Sequence, residues 1–394
     1  MQKVREAAVA GVYQTKQGDL SDRLQLDVWW ECAEGACRDA GLTLGDVDGL
    51  IGAGPPGVGL RAAGTPAGLA DVLGRPIRFH ASSSVGAASL AAGLNLAVYA
   101  VSHDLAGAVL IVNAVAGGGG TDSSAERDRA VAEMAKFSGP YEYPFGTTRV
   151  SDYAIVAMRH MYEYGTTAEQ LAEVAVAERR SATLHPLSVY GERGEITIAD
   201  VLGSRLIAEP LRLLDCCGIN QGGGAILVTS EPDVRAAGRH PPVTLIGYGE
   251  GFGHVDPNAL PDLTGFAAGR QAADTAFRTA GVTRQEVDVA GVSDHFTIAV
   301  PVVLEDAGFC KKGEGGPFCE GGSLGIGGRL PTNTAGGFLS FSHAGSCGLF
   351  SLIELAEQLR GEAGPRQVPD ARIGYLHGLG GAFQMQCGAV LARS

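Results

Sequence analysis

The chain has 394 residues, of which 45% are hydrophobic and 19% charged, against roughly 25% charged in an average soluble domain. Glycine accounts for 59 of these residues, about 15%, which is double the usual ~7%. The glycines show no three-residue period and lie among apolar residues, which excludes a collagen-like or disordered chain. The composition indicates a large globular protein with many tight turns, and a prior of about 150 residues per domain predicts two or three structural units.

Acidic residues outnumber basic ones by 43 to 30, which gives a formal net charge of −13. Without a block of Lys and Arg, such a chain is a poor electrostatic match for nucleic acid or an anionic membrane, and we expect neither as a partner. No apolar run reaches the ~20 residues that span a bilayer, and the polar start Met1–Glu6 does not resemble a signal peptide.

Eight cysteines are too few for a disulfide scaffold, which favours a reducing cytoplasm. Cys216 and Cys217 are adjacent, and Cys310 and Cys319 are nine residues apart. Neither spacing is that of a zinc site, which needs closely paired Cys or His ligands. We therefore expect no metal.

The first predicted helix has an apolar face at helical spacing and ends at Gly41; the face comprises Leu26, Trp29, Trp30, Ala33, Cys37 and Ala40. A short apolar strand follows at Leu50–Ala53. Ser83–Val101 is apolar almost all round, as expected of a buried helix, and leads to a strand at Ala108–Val112.

About 100 residues, roughly 115–220, then interrupt this pattern. They open with Gly117–Gly120 and continue with polar, turn-rich sequence and helices near 149–163 and 167–183. A long insert beside the mouth of a core is a natural place for a loop domain that covers substrate. Its tyrosines could line that pocket or belong to a core: Tyr141, Tyr143, Tyr153 and Tyr164.

The chain repeats itself. Residues 280–292 share with residues 40–51 the pattern Ala-Gly-aliphatic-Thr-x-x-acid-Val-Asp, at an offset of 240. In both copies a helix that ends in glycine precedes the pattern, and a short apolar strand follows it, here Val289–Val292. The next units also correspond, because a helix at Gly345–Arg360 leads to a strand at Arg372–His377.

We therefore divide the chain into two halves, 1–241 with the insert and 242–394. Alternating strands and helices in each half imply two parallel-type sheets, stacked with helices between and around them.

Three stretches carry a specific resemblance: Leu304–Cys310 (Leu-Glu-Asp-Ala-Gly-Phe-Cys), Pro331–Gly337 (Pro-Thr-Asn-Thr-Ala-Gly-Gly) and Leu359–Gly364 (Leu-Arg-Gly-Glu-Ala-Gly). Together with the duplication, they resemble the thiolase superfamily, in its branch of sterol-carrier or lipid-transfer-protein thiolases. The resemblance spans essentially the whole chain and is strongest over 280–382. It implies an α/β fold: a duplicated five-layer α/β/α/β/α core with an inserted loop domain.

Thiolase chemistry needs a thiolate at the N-terminus of a buried helix, where the helix dipole stabilises the anion. The family pattern Cys-Ser-x-Gly-x-x-x-Leu matches Ser83-Ser84-Val85-Gly86-Ala87-Ala88-Ser89-Leu90, so the nucleophile position is Ser83. A serine hydroxyl needs an adjacent base to attack a thioester. Ser83 is a candidate nucleophile, or a helix N-cap or oxyanion donor; Ser84 is a candidate substrate contact.

A second family cysteine lies in a His-Asp-Cys-Phe-like motif, which here reads Ser293-Asp294-His295-Phe296. His295 follows a buried strand and precedes a helix predicted to start near Thr297, a typical position for a functional side chain. An imidazole suits general acid/base work, although a structural turn histidine is the alternative. We expect Asp294 to contact substrate.

The family's Gly-His-Pro motif reads Ser342-His343-Ala344 here, so the histidine is kept. The resemblance implies that His343 donates an N–H to the thioester oxygen as it becomes an enolate, and a structural histidine with satisfied hydrogen bonds is the alternative. Cys347, four residues on, is either a reactive thiol or a small buried apolar side chain. Asn333, before a Gly-Gly turn, either holds a water at the oxyanion site or is a plain turn residue.

The last motif, His377-Gly378-Leu379-Gly380-Gly381, has a histidine where classical thiolases have a cysteine. His377 is a candidate for acid/base or orienting work, or a structural strand-end residue. Gly380 and Gly381 allow close backbone approach to a ligand, so we predict that they bind substrate. Of the other histidines, His80 and His254 stay open, and these are expected at the surface or at helix ends: His103, His160, His185 and His240.

Since both thiolase cysteines are replaced, we expect enolate stabilisation without an acyl-enzyme. This favours a carbon–carbon lyase that cleaves a 3-hydroxyacyl-CoA by a retro-aldol reaction, with His343 and Asn333 on the thioester oxygen and His295 or His377 as acid/base. The resemblance implies that the acyl group belongs to a steroid or lipid side chain. One alternative is an acyl-CoA C-acyltransferase of the acetyl-CoA acetyltransferase type, using Ser83 or Cys347; another is a non-catalytic subunit that binds acyl-CoA.

The resemblance also implies partners. We expect a homodimer, and a zinc-ribbon OB-fold protein in a heteromeric complex. Coenzyme A enters as part of the substrate, and we expect no other cofactor. No phosphate loop of the Walker type is present to identify the residues that contact it.

Overall fold

A computed structural model describes residues 6–52, 66–117, 148–253, 260, 262–345 and 347–394. The remaining residues, which include Gly118–Gly120, Tyr141, Tyr143 and His254, lie outside the described part. None of the helices within these ranges is both long and apolar enough to cross a membrane. All eight cysteines are free thiols.

The strands are β1 (Ala7–Gln14), β2 (Gly49–Ile51), β3 (Phe79–Ala81), β4 (Val109–Val115), β5 (Leu206–Ala208), β6 (Leu211–Arg212), β7 (Gly222–Ser230), β8 (Val243–Phe252), β9 (Val289–Val292), β10 (Ile373–Gly380) and β11 (Met385–Arg393). Among the described residues, nine strands form one sheet in the order β3-β2-β4-β7-β1-β8-β11-β10-β9, and β5 pairs with β6 in a separate hairpin.

The helices are α1 (Gln25–Asp39), α2 (Pro66–Leu73), α3 (Ser89–Ser102), α4 (Arg149–Tyr164), α5 (Ala168–Thr183), α6 (Ile198–Gly203), α7 (Glu231–Ala237), α8 (Ala267–Ala280), α9 (Ala299–Asp306), α10 (Gly315–Cys319) and α11 (Gly348–Arg360). The predicted helices of the insert, near 149–163 and 167–183, are therefore confirmed as α4 and α5.

The expectation of two separate parallel-type sheets is wrong in its details. Only β2–β3, β2–β4 and β9–β10 pair in parallel; β1, β7, β8 and β11 run antiparallel to their neighbours. The two halves also join into one sheet through β1 and β8, which share only two residue pairs, Ala8–Thr244 and Val9–Val243. The antiparallel strands are the first and the last of each half, which short apolar patterns did not identify.

The sheet nevertheless builds the layers of the predicted α/β/α/β/α core. One apolar cluster holds α3 and α11 together with strand residues of both halves, so these two helices form the central layer. A second cluster packs α1 on the outer face of the first half, and a third packs α8 and α9 on the outer face of the second. The buried side chain of Arg360 on α11 reaches Asp39 of α1 at 3.0 Å and ties the layers together.

Alternating glycines let α8 lie directly on its strand. A Cβ on Gly247, Gly249 or Gly251 of β8 would come within 2.0–2.3 Å of a backbone carbonyl oxygen of α8. Real Cβ atoms do not approach so closely, so only glycine fits at these positions. Part of the glycine excess thus permits helix-on-sheet contact.

The repeated sequence pattern has the same structural role in both halves. Thr43 begins a 3-10 turn closed by Asp46, and Thr283 begins one closed by Glu286. The aspartate that follows accepts two backbone N–H groups at the start of the next strand: Asp48 from Gly107 and Ala108, and Asp288 from Arg372 and Ile373. Strand order also repeats, as β2-β4-β7-β1 against β9-β10-β11-β8. The exact division at 241, and the limits of the insert, stay predictions.

The helix predicted over Ser83–Val101 begins later than expected. Gly86–Ala88 forms a 3-10 turn and α3 starts at Ser89, whose hydroxyl accepts the N–H of Val85 and donates to the carbonyl of Gly86. Gly86 has a φ of +54°, which a helix does not tolerate. Ser83 lies six residues before the helix, so the prediction that it is the N-cap is wrong.

Candidate active site

The structure brings His295 and His343 together. His295 follows β9, and His343 follows a π-helical turn at Gly337–Phe341 that leads towards α11. The two imidazole rings are nearly perpendicular, with centroids 5.3 Å apart. Phe338 packs edge-on against His295, its ring centroid 4.9 Å away. The two strongest sequence candidates thus share one site.

Both imidazoles are neutral at neutral pH. Burial lowers the pKa of His295 to about 3, with smaller contributions from His343 and Arg149. Burial also lowers the pKa of His343. Among the described residues, the Nδ1 atoms of both rings are buried without a hydrogen-bond partner. Buried polar groups in native proteins are nearly always paired, so two free imidazole nitrogens at one site indicate a place for a ligand.

Cys347 completes this cluster. Its Sγ and one nitrogen of each of the two histidines all lie within 4.8 Å of one another. Burial raises the pKa of Cys347 well above its usual value, and the nearby thiol of Cys217 adds to the effect. Cys347 is therefore a neutral thiol beside two neutral imidazoles, rather than the preformed thiolate of a thiolase.

Two asparagines position the backbone on either side of His343. Asn220 Oδ1 accepts the N–H of His343 at 3.2 Å and the hydroxyl of Ser342 at 3.0 Å. Asn113 Nδ2 donates to the carbonyl of Ala344 at 2.8 Å. Neither asparagine lies in a motif, and only the tertiary contact identifies them.

Asp294 holds the π-helical turn that precedes His343. It is fully buried, and its carboxylate accepts the N–H groups of Phe338 at 2.9 Å and Leu339 at 2.8 Å. A Cβ on Gly337 would lie 2.4 Å from this carboxylate, which explains the glycine there, at φ +60°. The prediction that Asp294 binds substrate is therefore wrong, because its acceptors are used to hold the π-helical turn.

Asn333 is likewise used by the framework. Its Oδ1 accepts the N–H of Val292 at 2.8 Å, and its Nδ2 donates to the carbonyl of Val292 at 2.9 Å and to Glu178 at 2.7 Å. Both N–H bonds of the amide are thus occupied, which leaves none for a thioester oxygen. These contacts contradict the predicted oxyanion role and fit the alternative of a turn residue, at φ +53°.

Ser83 and Ser84 lie on the loop before α3, with Ser84 exposed and Ser83 half-buried. This loop adjoins the site, because Ala87 and Ala88 contact Gly348 at the start of α11. No hydrogen bond in the described ranges joins Ser83 to His295 or His343. The described residues therefore show no serine–base contact of the kind that activates a nucleophile.

Gly380 and Gly381 do permit a close backbone approach, as predicted. A Cβ on Gly380 would come within 2.5 Å of the carbonyl oxygen of Val85, so the partner of Gly380 is the loop before α3. The carbonyl of Gly381 accepts the hydroxyl of Tyr153 at 3.0 Å. Tyr153 is fully buried and packs on Phe296, and it is thus a core residue. For these two glycines, the structure offers a packing role in place of the predicted substrate contact.

His377 faces away from the site. On β10, Tyr375 and Leu379 belong to the outer apolar cluster and Leu376 to the central one, so His377 points to the outer layer. Its Nε2 donates to Gln386 Oε1 at 2.7 Å and its Nδ1 accepts the hydroxyl of Tyr375 at 2.6 Å. Burial lowers the pKa of His377 to about 4. With both nitrogens paired, His377 fits its structural alternative, and the proposed acid/base role is contradicted.

Of the four histidines expected at the surface or at helix ends, His160 and His185 are buried, and His185 lies just after the end of α5. His160 bonds Thr166 and Glu305, and His185 accepts the N–H of Leu187. Helical spacing around these residues gave no sign of the distant segments that cover them. His103 is exposed as predicted, and His240 is half-buried between Asp39 and Glu362. His80 is exposed at the edge strand β3 and contacts the carbonyl of Gly52.

Two clusters in the described ranges have the spacing to hold a metal ion. The first is formed by His295, His343 and Cys347, where burial raises the pKa of the thiol. In the second, His185, Glu354 and Glu357, the carboxylates already pair with Arg366. We assign neither cluster as a metal site.

Comparisons with known proteins agree with this architecture. The family described as thiolase C-terminal domain-like matches residues 249–393. An acetyl-CoA acetyltransferase of Methanothermobacter thermautotrophicus is 35% identical over 96% of this chain and 97% of that protein. A steroid side-chain-cleaving aldolase of Thermomonospora curvata is 31% identical over 90% of each chain.

The solved structure of the Ltp2-ChsH2(DUF35) aldolase superposes with a TM-score of 0.84 at 31% identity, covering 98% of both chains. Similarity of this extent, in sequence and in structure, confirms the resemblance that the motifs carry. The chain therefore belongs to the thiolase superfamily, in the branch of sterol-carrier and lipid-transfer-protein thiolases.

Proposed function

We propose that this thiolase-fold enzyme cleaves the Cα–Cβ bond of a 3-hydroxyacyl-CoA thioester by a retro-aldol reaction. The observation that carries the proposal is the pair of neutral imidazoles of His295 and His343, with free Nδ1 atoms. At the position of the family's nucleophile stands Ser83, a weaker nucleophile without a hydrogen-bonded base in the described part of the chain. The aldolase relatives named above support the same reaction.

The chemistry follows from these two side chains. His295 accepts the proton of the 3-hydroxyl group, the oxygen forms a carbonyl, and the Cα–Cβ bond breaks with its electron pair passing into a thioester enolate. His343 donates an N–H to the enolate oxygen. The proton on His295 then returns to Cα, which yields a ketone or aldehyde and a shortened acyl-CoA.

The low pKa of His295 is compatible with this role. A lone imidazolium is disfavoured in the buried site, but here it forms together with the enolate anion. Opposite charges attract strongly in a medium of low dielectric constant, so the two charges stabilise each other as the bond breaks.

The second candidate function is acyl transfer through Cys347. Its thiol lies within 4.8 Å of both histidines, which is compatible with deprotonation by one of them when substrate binds. The acetyltransferase relative supports this candidate. Ser83 is the other nucleophile that acyl transfer could use.

We further propose the assembly and substrate class. The related aldolase is a complex with a DUF35 protein, which supports a heteromeric partner of the zinc-ribbon OB-fold kind. A homodimer of this chain at the centre of the complex, a steroid or lipid acyl group and the absence of a cofactor beyond coenzyme A complete the proposal.

The test combines turnover with covalent trapping. Purified protein, alone and with a DUF35 partner, would be incubated with a steroid 3-hydroxyacyl-CoA, and chromatography would follow release of the shortened acyl-CoA. Mass spectrometry of the protein after exposure to acyl-CoA would detect an acyl adduct. We expect cleavage without an adduct.

The variants Ser83→Ala and Cys347→Ala separate the two candidates. Retro-aldol cleavage needs neither nucleophile, so no adduct should form in any of the three proteins. An adduct that Cys347→Ala or Ser83→Ala abolishes would overturn the proposal in favour of acyl transfer. Tight acyl-CoA binding without turnover, with and without the partner, would overturn both reactions and support a non-catalytic subunit that binds acyl-CoA.

A further inference from the structure

Two carboxyl groups, those of Asp294 and Glu178, are buried next to the segment that carries His295. Asp294 is the preceding residue, and Glu178 projects from α5 in the insert with only 1% of its surface exposed. Each carboxyl group shifts the pKa of the other, so the two side chains are close neighbours. Glu178 Oε1 also accepts from Asn333 Nδ2 at 2.7 Å. The pair therefore joins the insert to the strand end that carries His295 and to the turn that leads to His343.

A hydrogen bond between two carboxyl groups requires a proton on one of them. Asp294 accepts two backbone N–H groups, which favours its carboxylate form. Glu178 Oε2 is buried and has no partner as a bare acceptor within the described residues. If Oε2 carries the proton, it donates to Asp294 and the orphaned atom is explained.

No cation compensates the pair in the described part of the chain. Three thiols from the surrounding segments interact with the pair, and their pKa values are raised: Cys217, Cys319 and Cys347. Arg179, beside Glu178 on α5, turns to Ser340 instead, with its Nε 3.1 Å from the hydroxyl. Burial and the adjacent Asp294 raise the pKa of Glu178 well above its usual value.

We propose that Glu178 is a positioning residue that acts as a neutral carboxylic acid, donating to Asp294 and accepting from Asn333. In this role it locks α5 onto both segments that carry the histidines. The adjacent glycines fit this contact: a Cβ on Gly336 would lie 2.6 Å from Ala182 of α5, and one on Gly337 would meet Asp294. The inference rests on the proposed function only in assigning the chemistry to His295 and His343.

The experiment compares Glu178→Gln with Glu178→Ala, with the exposed Glu169→Gln on the same helix as control. An amide keeps both hydrogen bonds of the neutral acid, so we expect Glu178→Gln to keep kcat within about fivefold. Glu178→Ala releases the histidine segments, and a misplacement of about 1 Å lowers kcat by about 10²-fold. KM should change little, because Glu178 does not contact substrate.

A second readout does not depend on catalysis. Because the folded-state pKa of Glu178 is raised, the folded protein binds a proton that the unfolded chain releases, and this contribution to stability falls as pH rises. Glu178→Gln removes the contribution. As pH rises from about 5 to 9, the unfolding temperature of the native protein should therefore fall relative to that of Glu178→Gln. The unfolding temperature of Glu169→Gln should change with pH as that of the native protein does.

The proposal fails if Glu178→Gln damages kcat as much as Glu178→Ala, or if the native protein and Glu178→Gln lose stability in parallel as pH rises. If Glu178→Ala does not fold, the pH comparison of Glu178→Gln still decides. If the native protein cleaves no 3-hydroxyacyl-CoA, the proposed function fails, while the unfolding measurements still report whether Glu178 carries the proton.

Discussion

Two regions of the molecule hold histidine side chains away from solvent: the site around His295 and His343, which are half-buried, and the outer layer around His377, which is fully buried. Burial lowers the pKa in both regions, to about 3 at His295 and about 4 at His377. The hydrogen bonds differ. Tyr375 and Gln386 satisfy both nitrogens of His377, whereas the Nδ1 atoms of His295 and His343 have no partner among the described residues.

The difference shows that burial alone does not mark a functional histidine. A paired imidazole in a core stabilises the fold, because leaving its partners unpaired costs free energy. A buried imidazole with a free nitrogen lowers stability unless a ligand supplies the missing contact. The second kind is therefore the better candidate for chemistry.

The largest expected effect is on catalysis at the first region. His343→Ala removes the proposed donor to the enolate oxygen, and we expect kcat/KM for 3-hydroxyacyl-CoA cleavage to fall by about 10²–10³-fold. The unfolding temperature should stay close to that of the native protein, because the Nδ1 of His343 has no partner to lose among the described residues. His103→Ala, at an exposed histidine, is the matched control. Unchanged cleavage by His343→Ala would refute its role.

The second region should respond in the opposite way. His377→Ala leaves the Tyr375 hydroxyl and Gln386 unpaired and opens a cavity, so the free energy of unfolding should fall by about 3 kcal/mol. Turnover per folded molecule should change only a few-fold. Urea unfolding and an assay of the folded fraction would measure the two quantities. A large loss of kcat in His377→Ala, with the free energy of unfolding unchanged, would show that His377 takes part in catalysis.

Lowering the pH should reduce the free energy of unfolding through His377 without reducing kcat through His295. The pKa of His377 is about 4 in the folded state and about 6.5 when unfolded, so its contribution is complete above the unfolded value and is lost as pH falls. Between pH 6.5 and 5 the loss approaches about 2 kcal/mol. Chemical unfolding at several pH values would show a smaller loss in His377→Gln.

His295 stays neutral over the same range, because its pKa is about 3. The kcat of the folded enzyme should therefore not decline with an apparent pKa near 6.5. A pH profile with an acid limb at that value would show that the base is a different group or that substrate binding raises the pKa of His295.

The smallest effect belongs to a pair outside both regions. Asp48 and Asp288 each accept two backbone N–H groups at corresponding positions of the two halves. Asp48→Asn and Asp288→Asn should each lower the free energy of unfolding by about 1 kcal/mol and leave kcat unaltered. Unequal losses would show that the two halves differ in more than their sites.

Much of this framework could be predicted from local sequence. The repeat predicted two similar halves, because the Thr turn and its aspartate act within a few residues or on the next strand. The helices at 149–164 and 168–183 follow from apolar spacing within each helix. His295 and His343 could be singled out because each occupies a motif at the end of a strand or turn.

The motifs did not show that Asn333 and His377 are weaker candidates for catalysis than His295 and His343. Their hydrogen-bond partners come from other elements or depend on which face of a strand is turned outward: Asn333 bonds Glu178, 155 residues away, and His377 lies on the outer face of β10. Alternation along β10 predicts that Tyr375 and His377 share a face, but not which layer that face meets.

The sequence by itself determined the family, the duplicated order of elements and the missing nucleophile at Ser83, since these depend on residue identity and short-range periodicity. Only the tertiary structure decided which buried histidines keep a free nitrogen, that Glu178 of the insert supports the site, and that both halves share one sheet. These features arise from contacts between segments far apart in the chain, where packing decides which polar groups find a partner.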